Sequence, residues 1–198
     1  MPTVPSLKAT VFQFIADELN QMVKTGRVSQ ADLERKLEPE DLRYLGKPLA
    51  SSSWVPIATS TRVLKLLFEL DGGSDLRIYM RERGRVNATK LRDGGIYKQF
   101  KTAAAVAESV VQAGKIAITL TSVMFNFSRW RFEPGAEGED VLFRIIVEEA
   151  EQYPDLNRFA AEGFIEQLTS GLPSAPKLSV RSERPAPDRV VFTAEERS

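Results

Sequence analysis

DLNRFAAEGFIEQLTS, residues Asp155–Ser170, is the stretch whose reading decides the fold. Its apolar residues Leu156, Phe159, Ala160, Phe164 and Leu168 recur at helical spacing, with Gly163 on the same stripe, a pattern that buries one face of a helix. A glycine inside a helix costs about 1 kcal/mol relative to alanine, so Gly163 predicts close approach to a neighbour, taken here to be a sheet. Tyr153-Pro154-Asp155 supplies a start, and Ser170-Gly171-Leu172-Pro173 a stop.

On both sides of this helix the period of the sequence changes to two. Trp130 and Phe132 alternate with Arg129, Arg131 and Glu133, and Val141, Phe143, Ile145 and Val147 alternate with Arg144 and Glu148. Both runs read as half-buried strands joined by a turn over Pro134 to Gly138. Phe125 and Phe127 are out of phase with Trp130 and Phe132, which predicts a bulge near Ser128. After the helix, Lys177 to Arg184 and Asp188 to Ala194 make a second hairpin, joined by Pro185-Ala186-Pro187.

Everything before Phe125 reads as helical. Leu7, Val11, Phe14, Ile15, Leu19, Met22 and Val23 predict a helix from Leu7 to Lys24, stopped at Gly26. Ser29-Gln30-Ala31-Asp32 is a capping box with aspartate in place of glutamate, and two short helical pieces are separated at Glu38-Pro39. A helix entered at Trp54-Val55-Pro56 runs to about Leu70, another runs from Leu76 to Leu91, and a long helical pattern covers Ile96 to Met124. The two glycine pairs, Gly72-Gly73 and Gly94-Gly95, are breaks without the Gly-Lys-Ser/Thr ending of a phosphate loop. The expected fold is α+β: one domain over residues 1–198, with a helical part, 5–124, packed on a four-stranded antiparallel sheet, 125–194, in strand-strand-helix-strand-strand order.

Composition narrows the chemistry. The chain of 198 residues has 27 basic and 27 acidic side chains, no cysteine and no histidine. Disulfides, thiol catalysis, histidine-ligated haem, Cys/His zinc sites and both the Ser-His-Asp triad and the Cys-His dyad therefore have no residues to use. No catalytic, metal or cofactor-binding residue is assigned and no cofactor is expected. No apolar run reaches the length of a membrane span, and Met1-Pro2-Thr3-Val4-Pro5 does not open like a secretory signal, so a cytoplasmic location is expected.

Three groups of residues stand out. Arg77, Arg81, Arg85 and Arg92, within a stretch that also holds Arg83, Lys90, Lys98 and Lys101, form a candidate surface for an anionic partner. Stacking aromatics are few there, which argues against nucleic acid. Glu133, Glu137, Glu139, Asp140, Glu148, Glu149, Glu151 and Asp155 form an acidic counterpart without the calcium-loop spacing, read as a solvated rim. Trp54, Phe68, Phe125, Phe127, Phe143 and Phe164 are candidates to line an apolar pocket between the helices and the sheet.

Local phrases add a resemblance. Leu37-Glu38-Pro39-Glu40-Asp41-Leu42, then Ser51-Ser52-Ser53-Trp54-Val55-Pro56, a helix, a Gly-Gly break and Arg83-Gly84 resemble a family of paralogous myxobacterial proteins. The later half, with Pro154, Glu162-Gly163-Phe164 and the final hairpin, is similar to the 4-vinyl reductase domain, the small subunits of the TRAPP tethering complex and the haem-NO-binding domain. The resemblance implies helices on an antiparallel sheet, a tendency to dimerise, and sensing or scaffolding. Phe192-Thr193-Ala194 stands where many 4-vinyl reductase domains carry cysteine, and the histidine of a haem sensor is missing. The resulting expectation is a non-enzymatic bacterial regulatory or scaffolding module. It would be a homodimer paired through the long helix, binding a cytoplasmic signalling or polarity protein, with a small apolar molecule in its pocket. The alternatives are a carboxylate- or tyrosine-based enzyme acting on a small hydrophobic molecule, and a nucleic-acid binder using residues 77–101.

Overall fold

The computed structural model describes residues 4–93, 110–136, 138–170 and 177–197, which form two compact units, 1–74 with 124–126, and 75–123 with 127–198.

The first unit comprises β1 (Ser6–Lys8), α1 (Ala9–Lys24), α2 (Gln30–Lys36), α3 (Pro39–Leu45), β2 (Trp54–Pro56) and α4 (Ile57–Leu70). Phe12, Ile15, Ala16 and Leu19 of α1 and Val63, Leu64 and Leu67 of α4 make its core. The Ser29 capping box forms as read: the Ser29 hydroxyl accepts from the Asp32 amide at 3.0 Å, and the Asp32 carboxylate accepts from the Ser29 amide at 3.3 Å. At the next helix Pro39 takes the first turn and Asp41 accepts the Glu38 amide at 3.1 Å. Asp71-Gly72 ends α4, with Gly72 at φ +66°, a conformation that side chains with a Cβ rarely adopt.

One expectation fails at both ends of this unit. Leu7 and Trp54 are not helical: Ser6–Lys8 pairs antiparallel with Trp54–Pro56, Leu7 opposite Val55, and Phe125 adds an isolated bridge to Leu7. Asn126 completes the edge, its side-chain oxygen accepting the Ser6 amide at 2.6 Å. Strands of three residues are too short to show a period of two, and Pro5 and Pro56 hold their neighbours extended.

The second unit holds α5 (Leu76–Asp93), α6 (Val110–Met124, its last residue counted with the first unit), β3 (Arg129–Pro134), β4 (Val141–Glu148), α7 (Asp155–Ser170), β5 (Leu178–Ala186) and β6 (Arg189–Glu196). The four strands form an antiparallel sheet in the order β3-β4-β6-β5, so the two expected hairpins are present and the second inserts β6 beside β4. Register sets Phe132 opposite Ile145 and Ile145 opposite Phe192, and one face carries the fully buried Phe143, Val147, Val180, Val190, Phe192 and Ala194. The rings of Phe132 and Phe143 stack at 5.4 Å, and Trp130 stacks on Phe192 at 6.0 Å. Register shifts fall between Val141 and Phe143 and between Glu183 and Ala186, not at Ser128. The phase break there instead marks where the chain passes between units at Asn126.

Residues 94–109, which carry the first half of the long helical pattern, lie outside the described residues. Among those described, no helix is long and apolar enough to cross a membrane.

Candidate functional site

The charged residues of α5 and α7 form one connected cluster in the second unit. Arg77, Arg81 and Arg85 are spaced four apart, as are Glu162 and Glu166, and residues four apart share one helix face. Arg77 grips Glu162 with two bonds of 2.8 and 3.2 Å. Arg81 reaches Glu162 at 2.8 Å and Glu166 at 2.5 Å, while Arg85 reaches Glu166 at 2.8 Å and Glu82 at 3.0 Å. Glu162 is fully buried and Glu166 nearly so. The Glu166 carboxylate beside Arg85 holds that guanidinium above its usual range, against the effect of burial.

The same side chains reach the edge of the sheet. The Val180 amide donates to Glu166 at 3.0 Å and the Ser182 amide to Glu162 at 2.9 Å. The Val180 carbonyl accepts from Arg81 at 3.2 Å and the Ser182 carbonyl from Arg158 at 2.9 Å. Two carboxylates and two guanidiniums thus alternate along β5, taking the place of an outer strand.

Close contact between helices makes this possible. A Cβ on Gly84 would lie 1.9 Å from the Ala160 carbonyl oxygen, and one on Gly163 would lie 1.9 Å from that of Arg81. Gly163 therefore serves approach to α5, not to the sheet as expected. The buried set of α7 also differs: Glu162, Ile165, Glu166 and Thr169 join Leu156 and Leu168, while Phe159, Ala160 and Phe164 are half-buried. Flanked by both α5 and β5, α7 buries polar residues that a single-stripe reading leaves in solvent. The clue was present in the matched four-residue spacing of three arginines and two glutamates.

Three of the four arginines of the candidate anionic-partner surface are engaged within the chain. Arg77, Arg81 and Arg85 all bind carboxylates of their own chain, and Arg83 donates to the Tyr79 hydroxyl at 2.8 Å. Arg92 lies in the last turn of α5 with its side chain outside what is described, as are Lys98 and Lys101 entirely. An open groove of about 250 Å³ runs beside the cluster, lined by Glu82, Arg85, Val86, Thr89, Lys90 and Gln167. Five of the acidic residues are paired as well: Glu139 with Arg144 at 3.3 Å, Glu148 with Arg131 at 3.7 Å and Arg189 at 3.8 Å, Asp155 with Arg158 at 2.9 Å, Glu133 with Arg131, and Glu149 with Arg129. Glu137 lies outside the described residues.

The six aromatic candidates divide. Trp54, Phe68 and Phe125 belong to the first unit, and Phe127, Phe143 and Phe164 to the second. Trp54 lies under the Lys8 ammonium, 4.0 Å from its ring centroid, and the Phe68 ring covers Gly73. Phe125 bridges to Leu7, while Phe143 is fully buried in the sheet core. Phe127 and Phe164 are half-buried.

Compared with solved structures, the chain aligns end to end. The fold is that of haem-NO-binding domains. An Fe(II) unliganded H-NOX protein mutant from K. algicida matches with a TM-score of 0.64 at 11% identity, over 97% of each chain. An H-NOX mutant from T. Tengcongensis matches with a TM-score of 0.59 at 13% identity, over 97% of this chain and 98% of that one. An oxygen binding H-NOX domain related to soluble guanylate cyclases matches at 0.54 and 13%. No protein-family model and no curated protein matches. The expectation of a scaffolding module for a partner protein and an apolar molecule is corrected by this likeness, since these solved structures, matched over nearly the whole chain, are H-NOX domains.

The shared fold raises haem as a group to test. Haem iron is held by histidine, cysteine or tyrosine, or by methionine alongside histidine, and this chain has neither histidine nor cysteine. Of the tyrosines described, Tyr44 packs edge-on to Phe12 at 6.3 Å, Tyr79 accepts from Arg83, and Tyr153 is buried with its phenol pushed far up by that burial. A protonated phenol is the wrong form for an iron ligand. Met22, Met80 and Met124 are buried, and no histidine is present to pair with them. The residues described do not fit an axially ligated haem.

Proposed function

We propose that this chain is a sensory domain, one that binds a small molecule and passes its occupancy to a signalling partner. A single observation carries the reading: an architecture shared over 97% of the chain with haem-NO-binding domains. No chemical step is assigned to it. Glu162 and Glu166, both buried, are held by guanidiniums and backbone amides of their own chain.

Native mass spectrometry of protein isolated from its own host tests the reading. The expected result is a stoichiometric small-molecule adduct that leaves on denaturation, with a rise in Tm when the released molecule is added back. A bare chain mass, with no thermal response to a small-molecule extract of the host, would remove the proposal. Cytoplasmic action, a homodimer and kinship with the myxobacterial paralogous family belong to the same proposal. Light scattering that gives a single chain mass would strike out the dimer.

A further inference from the structure

We infer that this domain is an iron-independent form of the haem-NO-binding fold, stable without a porphyrin and recognising its ligand by non-coordinate contacts alone. The inference deepens the sensory reading and rests on it for the existence of a ligand. Its own ground is the disagreement between architecture and donor set.

An axial bond needs a soft or basic donor aimed at the metal. Histidine and cysteine are missing from the whole chain. Of the described tyrosines, the best shielded from water, Tyr153, has its phenol pushed up by burial. Its ring stands edge-on to Trp130 at 5.6 Å, so it is already a core residue of the sheet. Tyr79 has its oxygen bonded to Arg83 and its ring against the same guanidinium, 5.3 Å from the centroid. A cation so close to the phenol opposes the electron donation that an iron ligand supplies.

The described residues of each unit also pack closely on one another. Phe12, Leu19, Val63 and Leu67 are fully buried in the first, and Phe143 and Phe192 in the second. In the second unit the seam between α5 and α7 is backbone against backbone at Gly84 and Gly163, so nothing planar separates these helices. The five-residue cluster of Arg77, Arg81, Arg85, Glu162 and Glu166 spans that seam. Shape and rigidity here come from side chains, with no prosthetic group required as a filler.

The test uses the full chain expressed twice, once with iron and 5-aminolevulinic acid supplied and once under haem limitation. The expected outcome is the same cooperative unfolding from both cultures, iron far below one atom per chain, and only the broad absorption of free hemin on adding an equimolar amount, with Tm unchanged. Stoichiometric iron with a sharp Soret band that moves on exposure to NO would overturn the inference. So would a chain that unfolds cooperatively only after hemin is added. Either of those results leaves the sensory reading standing. A protein that is iron-free and stable but carries no ligand from its host defeats the sensory reading instead.

Discussion

Arg81 holds two helices and a strand with one guanidinium, since its bonds run to Glu162, Glu166 and the Val180 carbonyl. Its side chain is only 17% exposed, and removing one partner of a buried ion pair leaves the other charge uncompensated, at a cost of about 3–5 kcal/mol. Arg81→Ala should lose stability on that scale in urea unfolding. Arg77→Ala should lose much less, because 44% of that side chain faces water. Two titrations follow from single groups. Burial pushes the Asp41 carboxyl up, but the Arg62 guanidinium, at 2.7 and 2.8 Å, the Thr59 hydroxyl and the Glu38 amide together hold it below its ordinary value. A depressed carboxyl stabilises above its unfolded value of about 3.9 and loses that contribution as pH falls through the folded value. Arg62→Ala should therefore shift acid unfolding to higher pH, read by circular dichroism. Tyr153 works in the opposite sense. Its raised phenol contributes stability that is intact below the unfolded value of about 10 and fades as pH climbs above it. An ultraviolet titration should show one tyrosine that ionises only as the protein unfolds, a behaviour that Tyr153→Phe abolishes. Both the arginine spacing and the glutamate spacing were legible in the sequence. What was not legible is that they face one another, since Arg85 and Glu166 are 81 positions apart and only the tertiary fold brings them into contact.

At the scale of elements, the α5–α7 crossing depends on two missing side chains. Gly84→Ala or Gly163→Ala would drive a Cβ into a backbone carbonyl that has no rotamer to escape by, and overpacking of this kind costs about 1–3 kcal/mol. The double variant should fall short of the sum of the two, because helices already pushed apart by one methyl admit the second. Thermal unfolding of the three proteins checks this. Long periodic segments were readable because burial repeats along them: α7 begins and ends at the residues its spacing implies, and β3 to β6 lie where alternation places them. The reading of Gly163 was right about close approach and mistaken about the neighbour, for a glycine reports that something comes near without reporting what. The strands β1 and β2 escaped notice because each is three residues long beside a helix whose period dominates the window.

For the molecule as a whole, architecture and chemistry carry separate information. Antiparallel hairpins and an amphipathic helix declare an α+β fold, and a chain without histidine and cysteine has no imidazole or thiol of its own to use; neither property names a ligand. The aromatic residues illustrate the limit. Phe143 is fully buried, and its replacement by alanine should cost about 3–5 kcal/mol through the cavity it leaves, a loss that urea unfolding would measure directly. Closure of the sheet also has a consequence for how molecules of this protein behave toward one another. Exposed strand edges invite pairing with a neighbouring chain, and proteins usually block them with another strand, a proline or a bulge. Here the β5 edge is blocked by removable charges on other elements. Glu162→Ala combined with Glu166→Ala would bare the Val180 and Ser182 amides, and that protein should polymerise edge to edge in a concentration-dependent way that dynamic light scattering would reveal. Colloidal solubility, on this view, is held in part by residues that also hold the helices: Arg81, Glu162 and Glu166.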